Sequence, residues 1–304
     1  MAQLVLRSEV ASPLRRVAME MLHPTTLASA VEALARRGAV ALAGATDLIA
    51  SIRKREIAPK LLVNLKGIPG LSGIKRQRGK IRIGALTTVG ELLRSEIIQH
   101  DLPLLAEVAH HFASVQIRNL ATVGGNLCNA APSADLALPL LALDARLVIR
   151  GAGRSREIAI ADFFLGVNKT ALRRGEILTA ITVPRPRTRT GAAHAKLGVR
   201  QAMDLAFVGV AAAVQLTPTG KCKAARIALG AVAPVPVRAR KAEAVLEGAI
   251  ITDELIAHAA AVAAAESRPI SDLRASKQYR REMVEVLARR VLREAIRRAR
   301  QEGR

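Results

Sequence analysis

The chain has few aromatic residues and few cysteines. Its 304 residues include no tryptophan, one tyrosine, four phenylalanines and two cysteines, Cys128 and Cys222. Two cysteines are too few for a disulfide framework or for a cysteine-ligated iron–sulfur or zinc site. Proteins that bind single-stranded nucleic acids generally stack bases on aromatic side chains. The shortage of aromatic residues therefore counts against that class.

Long hydrophobic runs are also missing. No uninterrupted apolar stretch approaches the roughly 20 residues that a membrane-spanning helix requires. Half of the residues are nevertheless apolar, which predicts a folded chain with a sizeable core and, at this length, two domains. The first residues, MAQLVLRSEVASPLRRVAMEML, lack the order of basic, apolar and cleavage regions of a secretory signal. This favours a cytoplasmic protein.

Acidic residues are in deficit. The 47 Lys and Arg residues against 25 Asp and Glu residues give a formal net charge of +22, which suits nucleic acid or an acidic protein partner. Much of the excess lies in residues 277–300, where Val284, Leu287, Val291 and Ile296 keep helical spacing between arginines. Such a pattern is typical of a solvated amphipathic helix. We therefore rank an acidic protein partner above nucleic acid.

The apolar pattern predicts an α+β chain without a regular βαβ repeat. The expected helices cover residues 25–37, 88–98, 104–113, 238–247, 253–266 and 277–300. The expected strands cover residues 40–43, 61–65, 81–86, 147–150, 156–160, 177–183, 194–199, 207–216 and 222–232. The segment PRPRTRTG at residues 184–191 is the best domain boundary.

Two loops of small residues point to a phosphate ligand. The stretch TVGGNLCNAAPSADLALPLLALDA begins at Thr122 and contains the adjacent Gly124 and Gly125. Adjacent glycines let successive N–H groups point into one concavity that an anion can enter. A second such loop, residues 43–47, follows an apolar run. Because the G-x-G-x-x-G fingerprint of a Rossmann fold is absent, we expect two loops to hold one diphosphate from two sides.

These stretches resemble the FAD-binding medium subunit of the molybdenum hydroxylases, the xanthine dehydrogenase and carbon monoxide dehydrogenase family. The TVGGN stretch is similar to the family's T-[IV]-G-G-N-x-x-x-A-x-P-x-x-D motif. LAGATDL resembles its A-G-G-T-D-L loop, with Ala45 in place of a glycine. GEILTAITVP resembles the strand beside the flavin ring. HAKLGVRQAMDLAFVGVAAAV resembles the start of the C-terminal domain, with His194 where a tyrosine is common.

The resemblance runs from about Met21 to the last helix and implies a fold and an assembly. It implies a two-lobed FAD-binding domain of the PCMH type at residues 1–187, with lobes at about 20–75 and 78–187. A smaller α+β domain with a three-stranded sheet would follow at residues 188–304. The implied partners are a molybdenum-cofactor large subunit and a small subunit with two [2Fe-2S] clusters, in a dimer of heterotrimers. Electrons would pass from the clusters through FAD to NAD, a quinone or oxygen, with no nucleic acid and no membrane span involved.

The resemblance also implies the cofactor-binding residues, and neither a catalytic residue nor a metal ligand is expected in this chain. Asp135 is expected on the ribose or adenine side of FAD, or alternatively as a helix cap. Lys196 is expected beside the flavin pyrimidine edge, and Phe112 and Leu178 either beside the cofactor or in the core. The complete set is Ala41, Leu42, Ala43, Gly44, Ala45, Thr46, Asp47, Leu48, Phe112, Thr122, Val123, Gly124, Gly125, Asn126, Asp135, Leu178 and Lys196.

Two other functions remain open from the sequence. A stand-alone flavin oxidoreductase of related fold is possible, although ~110 residues after the boundary are few for a substrate domain. A basic nucleic-acid-binding protein is the other, and it depends on charge alone.

Overall fold

The computed structural model describes residues 19–200 and 203–302. Most of the N-terminal segment, the outer limits of the expected domains at residues 1 and 304, and residues 201–202 of the HAKLGVRQAMDL motif lie outside the described residues. The fold is α+β, as predicted, with sheets of three, five and four strands and a small hairpin. No helix within the described ranges is long and apolar enough to cross a membrane.

The first lobe is a three-stranded parallel sheet with two helices. Its strands lie in the order β1 (Glu20–Leu22), β3 (Leu61–Asn64) and β2 (Ala39–Leu42). Thr26 caps the first helix by accepting the N–H of Ser29. That helix is shorter than the predicted 25–37, because the chain turns through Gly38, whose φ is +81°, into the next strand. The elements are β1 (Glu20–Leu22), α1 (Leu27–Leu34), β2 (Ala39–Leu42), α2 (Leu48–Arg53) and β3 (Leu61–Asn64).

The second lobe is a five-stranded antiparallel sheet covered by short helices. Its strand order is β4-β5-β10-β6-β7. The strands are β4 (Ile74–Gln77), β5 (Lys80–Gly84), β6 (Arg146–Gly151), β7 (Arg154–Ala159) and β10 (Ile177–Pro184), with the hairpin β8 (Phe164–Gly166) and β9 (Lys169–Thr170). The helices are α3 (Val89–Arg94), α4 (Glu96–Asp101), α5 (Pro103–His110), α6 (Val115–Leu120), α7 (Val123–Asn129) and α8 (Ala137–Ala142).

The predicted helix over residues 88–98 is two helices. The first begins with a capping box, since Thr88 accepts the N–H of Glu91 and the Glu91 side chain accepts the N–H of Thr88. Ser95, however, has extended backbone angles and accepts the N–H of Ile98. A serine hydroxyl competes with helical hydrogen bonds in this way, so α3 ends at Arg94 and α4 begins one residue after Ser95.

The C-terminal part is an antiparallel sheet of three long strands, as predicted, extended by a two-residue fourth strand. Three helices cover it, and α10 has the predicted bounds. The predicted buried face of the last helix is confirmed, because Val284, Leu287, Val291 and Ile296 are buried. The elements are β11 (Thr190–Leu197), β12 (Val208–Leu216), β13 (Cys222–Gly230), β14 (Val237–Arg238), α9 (Arg240–Leu246), α10 (Asp253–Glu266) and α11 (Lys277–Gln301).

This C-terminal sheet packs its second face on α8 of the second lobe. Ala211 and Ala213 of β12 belong to the core of the second lobe, whereas Val210 and Val214 belong to the core beneath the C-terminal helices. Leu138 of α8 lies so close to β12 that a Cβ at Gly209 would be 2.7 Å from its Cδ1. Because Gly209 has no side chain, the sheet lies close to α8. Lys196 and His194 of β11, which pair with Gly209 and Ala211, therefore lie against the second lobe.

Asp101 of α4 forms ion pairs with the five-stranded sheet. Its carboxylate is 1% exposed and lies 2.6 Å from Nε of Arg76 and 3.4 Å from an amino group of Arg185. The hydrogen bond from Arg76, opposed by burial, lowers the pKa of Asp101 to about 2. These two ion pairs join α4, which contains Asp101, to β4 and to the residue that follows β10.

We predict that Asp101→Asn lowers the free energy of unfolding by about 1–2 kcal/mol at pH 7, since both guanidiniums are half exposed and water replaces part of the lost interaction. Because the folded-state pKa lies below the unfolded value, the stabilisation is complete above about pH 4 and disappears as the pH falls toward 2. Denaturant titrations at pH 7, 4 and 2.5 measure this. A difference between the two proteins that stays constant with pH would contradict it.

Candidate functional site

A cavity of about 390 Å³ lies between the two lobes. The loop after β2, the start of α7 and the start of β10 form its walls. Most of the predicted cofactor residues line it together, although they come from distant parts of the sequence. Those residues are Ala41, Ala43, Gly44, Ala45, Thr46, Asp47, Leu48, Phe112, Thr122, Gly124, Gly125, Asn126 and Leu178.

Four predicted residues do not line the cavity. Leu42 and Val123 are buried, at 8% and 0% exposure, and support the two walls from behind. Asp135 and Lys196 lie at the junction with the C-terminal sheet, where they contact each other.

The loop of residues 43–47 provides backbone donors. Within the described part of the chain, the N–H groups of residues 44–47 have no acceptor. Such a group of successive N–H donors suits a diphosphate. The Asp47 side chain is exposed and does not cap α2, so its N–H is the group that can serve an anion.

Gly44 brings this loop against the other wall of the cavity. A Cβ at Gly44 would lie 2.1 Å from the carbonyl oxygen of Leu120, so only glycine allows the approach. The next residue, Ala45, has φ +63°. This left-handed conformation explains why the family motif has a glycine at that position, and alanine adopts it at some conformational cost.

The TVGGN stretch is the start of a helix, which corrects the expectation of a loop with free donors. Thr122 caps α7 by accepting the N–H of Gly125 at 3.0 Å. The N–H of Val123 donates to Thr87 at 2.9 Å, and that of Gly124 donates to Ala85 at 2.8 Å. These three N–H groups therefore have protein acceptors, in contrast to the N–H groups of residues 44–47.

The two glycines of α7 serve different purposes. A Cβ at Gly124 would lie 2.7 Å from the Cβ and from the carbonyl oxygen of Ala85, so this glycine allows the helix to contact the sheet. A Cβ at Gly125 would be close only to the Thr122 hydroxyl. Since Gly125 lines the cavity, its missing side chain leaves space there.

Asn126 adds a side-chain donor to the same wall. Its Oδ1 accepts the N–H of Leu136 at 3.3 Å, which fixes the orientation of the amide. Its Nδ2 has no acceptor in the described ranges. A side-chain N–H₂ group held in this way can donate to an anionic or carbonyl oxygen in the cavity.

Part of the cavity lining is apolar. It includes Leu86, Phe112, Ile177 and Leu178. Phe112 and Leu178 are 8% and 4% exposed and also belong to the core of the second lobe. Their position in the core is confirmed, their contact with a cofactor stays a prediction, and the apolar lining suits a flat heterocyclic ring.

Several polar residues of the cavity were missed from the sequence, among them Glu176, Asn129 and Asn168. Glu176 directly precedes a strand whose residue Leu178 was identified, so its position was the available signal. Arg156 donates two hydrogen bonds to its carboxylate, at 2.9 and 2.7 Å, and lowers the pKa of Glu176. Cys128 also lines the cavity, and burial raises the pKa of its thiol to about 12, so it stays protonated.

Asp135 and Lys196 form a buried ion pair between the second lobe and the C-terminal sheet. The Lys196 Nζ lies 2.9 Å from the Asp135 Oδ1, and the side chains are 18% and 15% exposed. Burial raises the pKa of Asp135, and the lysine opposes that effect. The alternative of Asp135 as a helix cap is wrong, because the cap position of α8 is Leu136, without a side-chain bond.

His194 lies on the same face of β11 as Lys196, two residues before it. Its Nε2 is buried and has no hydrogen-bond partner in the structure as described. Burial, together with the charge of Lys196 and the nearby His111, lowers the pKa of His194 to about 4. The imidazole is therefore neutral at pH 7.

We predict opposite effects for substitutions at neighbouring positions of the loop. Ala45→Gly removes the left-handed alanine and raises the free energy of unfolding by about 0.5–1 kcal/mol. Gly44→Ala places a methyl group against the Leu120 carbonyl and lowers it by about 1–3 kcal/mol. Thermal or denaturant unfolding measures both. Equal effects of the same sign would show that the backbone conformation at Ala45 and the contact at Gly44 do not matter.

We also predict that His194 makes the protein less stable in weak acid. The unfolded chain takes up a proton near the ordinary pKa of histidine, about 6.5, whereas the folded chain does so only near 4. Stability is therefore lost as the pH falls from about 6.5 to 4. In His194→Phe this loss is smaller, as melting temperatures between pH 7 and 4.5 will show. His258→Phe, at an exposed position, is the control and should retain the wild-type slope.

Two sequence families match the chain. One, described as the FAD binding domain in molybdopterin dehydrogenase, matches residues 17–186. The other, described as the CO dehydrogenase flavoprotein C-terminal domain, matches residues 193–295.

Curated relatives cover nearly the same length. The xanthine dehydrogenase FAD-binding subunit of Escherichia coli O157:H7 is 35% identical over 274 residues, which are 89% of this chain and 94% of that protein. The carbon monoxide dehydrogenase medium chain of Afipia carboxidovorans is 37% identical over 280 residues, which are 91% and 96% of the two chains.

Solved structures agree with these matches. A chain of carbon monoxide dehydrogenase from Hydrogenophaga pseudoflava superposes with a TM-score of 0.89 at 34% identity, covering 92% of this chain and 98% of that one. A chain of quinoline 2-oxidoreductase from Pseudomonas putida 86 gives a TM-score of 0.86 at 28% identity, with coverages of 94% and 99%. The protein is therefore an oxidoreductase subunit that binds FAD, and it belongs to the family of flavoprotein medium subunits of the molybdenum hydroxylases.

Proposed function

We propose that this chain transfers electrons within a heteromeric molybdenum hydroxylase. It takes them from the [2Fe-2S] clusters of a small subunit and passes them to an acceptor such as NAD, a quinone or oxygen. The cavity between the lobes carries this proposal, because it combines backbone donors, an oriented amide and an apolar wall. FAD supplies a centre that accepts electrons one or two at a time, and the protein supplies its binding and orientation.

The residues of the cavity suit the parts of FAD. The N–H groups of residues 44–47 and the amide of Asn126 would hold the diphosphate. Phe112 and Leu178 would contact a ring system. Gly125 leaves the space that a side chain would occupy. We further propose that Asp135 and Lys196, expected from the sequence at the FAD ribose or adenine side and at the flavin pyrimidine edge, act through their ion pair, which positions the C-terminal sheet beside the cofactor.

The chain organisation supports a subunit rather than a stand-alone oxidoreductase. The relatives are themselves called a subunit or a medium chain, and this chain covers 94% and 96% of their lengths. We propose one FAD domain that ends near residue 187 and one smaller domain from residue 188 onward. The first strand of the C-terminal sheet begins at Thr190, which supports that boundary.

Exposed apolar side chains adjoin the cavity and suit a docked partner. Ile57 lines the cavity and is 40% exposed. Leu120, which contacts the Gly44 loop through its carbonyl, is 51% exposed, and Val167, beside the cavity residue Asn168, is 57% exposed. Exposed apolar residues grouped around a site are typical of protein interfaces. We propose that the iron–sulfur subunit docks there and that the molybdenum subunit completes a heterotrimer, two of which form the complex.

The proposal predicts that Gly125→Val removes FAD. The valine methyl groups would occupy the cavity beside the Thr122 hydroxyl, so we expect less than one tenth of the wild-type flavin content by absorbance after purification. Circular dichroism controls for folding, and Val115→Ala, at an exposed position outside the cavity lining, should keep its flavin. A folded Gly125→Val protein with full flavin content would remove this helix from the cofactor site.

Electron transfer is tested in the complex co-expressed with its molybdenum and iron–sulfur subunits. With substrate added anaerobically, rapid-mixing spectroscopy should show the clusters reduced before the flavin absorbance decreases. In the complex with Gly125→Val, the clusters should still be reduced while turnover with the acceptor is lost. Flavin reduction without any partner subunit, or full turnover in the FAD-free complex, would contradict the proposal.

A further inference from the structure

The triplet Arg-Arg-Gly occurs twice in the sequence, at residues 36–38 and at residues 173–175. The first triplet is directly followed by β2, and the second precedes β10 by one residue. The structure places both triplets on the walls of one cleft of about 360 Å³, which we call the double-arginine cleft. Its lining consists of Leu34, Arg36, Arg37, Gly38, Ala39, Ala41, Arg173, Arg174, Gly175 and Glu176.

The two turns are held in fixed positions by their glycines. Gly38 and Gly175 have φ values of +81° and +78°, which favour glycine. The Cβ position of Gly175 lies 3.3 Å from the Val31 carbonyl oxygen and 3.4 Å from the Ala35 Cβ. The second turn therefore packs on the end of α1, directly before the first turn.

The protein neutralises the positive charge of the cleft only in part, since four arginines and one acid, Glu176, line it. All four arginines are exposed, and in the described ranges their side chains form neither an ion pair nor a hydrogen bond. The acid in the lining, Glu176, already accepts two hydrogen bonds from Arg156 and one from the Arg173 N–H. The N–H groups of Gly38 and Gly175 also have no acceptor among the residues that the structure describes.

We propose that the double-arginine cleft binds the phosphate or diphosphate group of a small soluble molecule, at a site separate from the FAD cavity. Guanidinium groups bind phosphates through paired, charge-assisted hydrogen bonds. Four of them with two free N–H groups provide more donors than a single phosphate requires, which favours a diphosphate.

The shape of the cleft favours a small ligand over a macromolecule. Its volume is close to that of the FAD cavity and lies in the range of about 300–1,000 Å³ that is usual for small-molecule pockets. The two cavities share Ala41 and Glu176 as wall residues. A bound anion would therefore lie next to FAD. Its binding would depend neither on reduction of the flavin nor on the presence of a partner subunit.

The test is isothermal titration of the FAD-loaded protein with pyrophosphate, orthophosphate and ATP at constant ionic strength. We expect saturable binding, with pyrophosphate tighter than orthophosphate. If ATP binds more tightly than pyrophosphate, the ligand is a nucleotide. If pyrophosphate binds more tightly than ATP, the ligand is a free phosphate anion. Arg37→Gln combined with Arg174→Gln should weaken pyrophosphate binding at least about tenfold, since one charge-assisted contact from each turn is removed.

The matched control combines Arg78→Gln with Arg154→Gln, two exposed arginines outside the cleft lining. It removes the same charge and should change the affinity less than about twofold. Flavin absorbance and melting temperature verify that both variants are intact. Absence of saturable binding, an equal loss in both variants, or release of FAD by pyrophosphate would overturn the proposal. The proposal would also be overturned if the Arg37→Gln, Arg174→Gln variant lost binding to duplex DNA or polyglutamate and kept its binding to pyrophosphate.

Discussion

The close approach of the Gly44 loop to the Leu120 carbonyl is the contact on which the candidate site depends. It joins the parallel sheet of the first lobe to the helices of the second, and only a residue without a side chain permits it. The approach places the free N–H groups of residues 44–47 and the open position at Gly125 on one cavity. The left-handed Ala45 follows from the same turn, so a strained residue is retained where the chain reverses beside the cavity.

A second constraint fixes the C-terminal sheet. Gly209 and Gly230 are paired across β12 and β13, and Leu138 lies within 3 Å of a Cβ built at either position. Since the sheet can approach α8 this closely, Lys196 reaches Asp135 and the pair is shielded from water. Breaking one partner of such a pair leaves an uncompensated charge. The junction is therefore held by apolar packing and by an ion pair that tolerates little displacement, and the neutral, buried His194 lies in the same junction.

The sequence predicted the long elements and the walls of the cavity, but less of its chemistry. Periodicity over many residues located α10, α11 and the three long C-terminal strands. It could not locate α6 or α7, because six or seven residues show no helical period, and adjacent glycines suggest a turn. The hydrogen bonds from Val123 and Gly124 to Thr87 and Ala85 are tertiary, so no local pattern revealed that these N–H groups were already used. The pairing of Asp135 with Lys196 was hidden for the same reason.

The distribution of the positive charge has more meaning than its sum. On α11, many arginines have acidic partners: Arg289 pairs with Glu285, Arg297 and Arg298 with Glu294, Arg293 with Asp253, and Arg280 with Asp272. The helix with the most arginines is thus partly neutralised, as an amphipathic solvated helix should be. The four arginines of the double-arginine cleft lack such partners among the described residues and are held near one another by two glycine turns. Uncompensated like charges repel one another in the free protein. An anion that relieves this repulsion is bound more tightly than one contacting a single arginine, so the local arrangement, not the net charge of +22, determines which ligand the cleft favours.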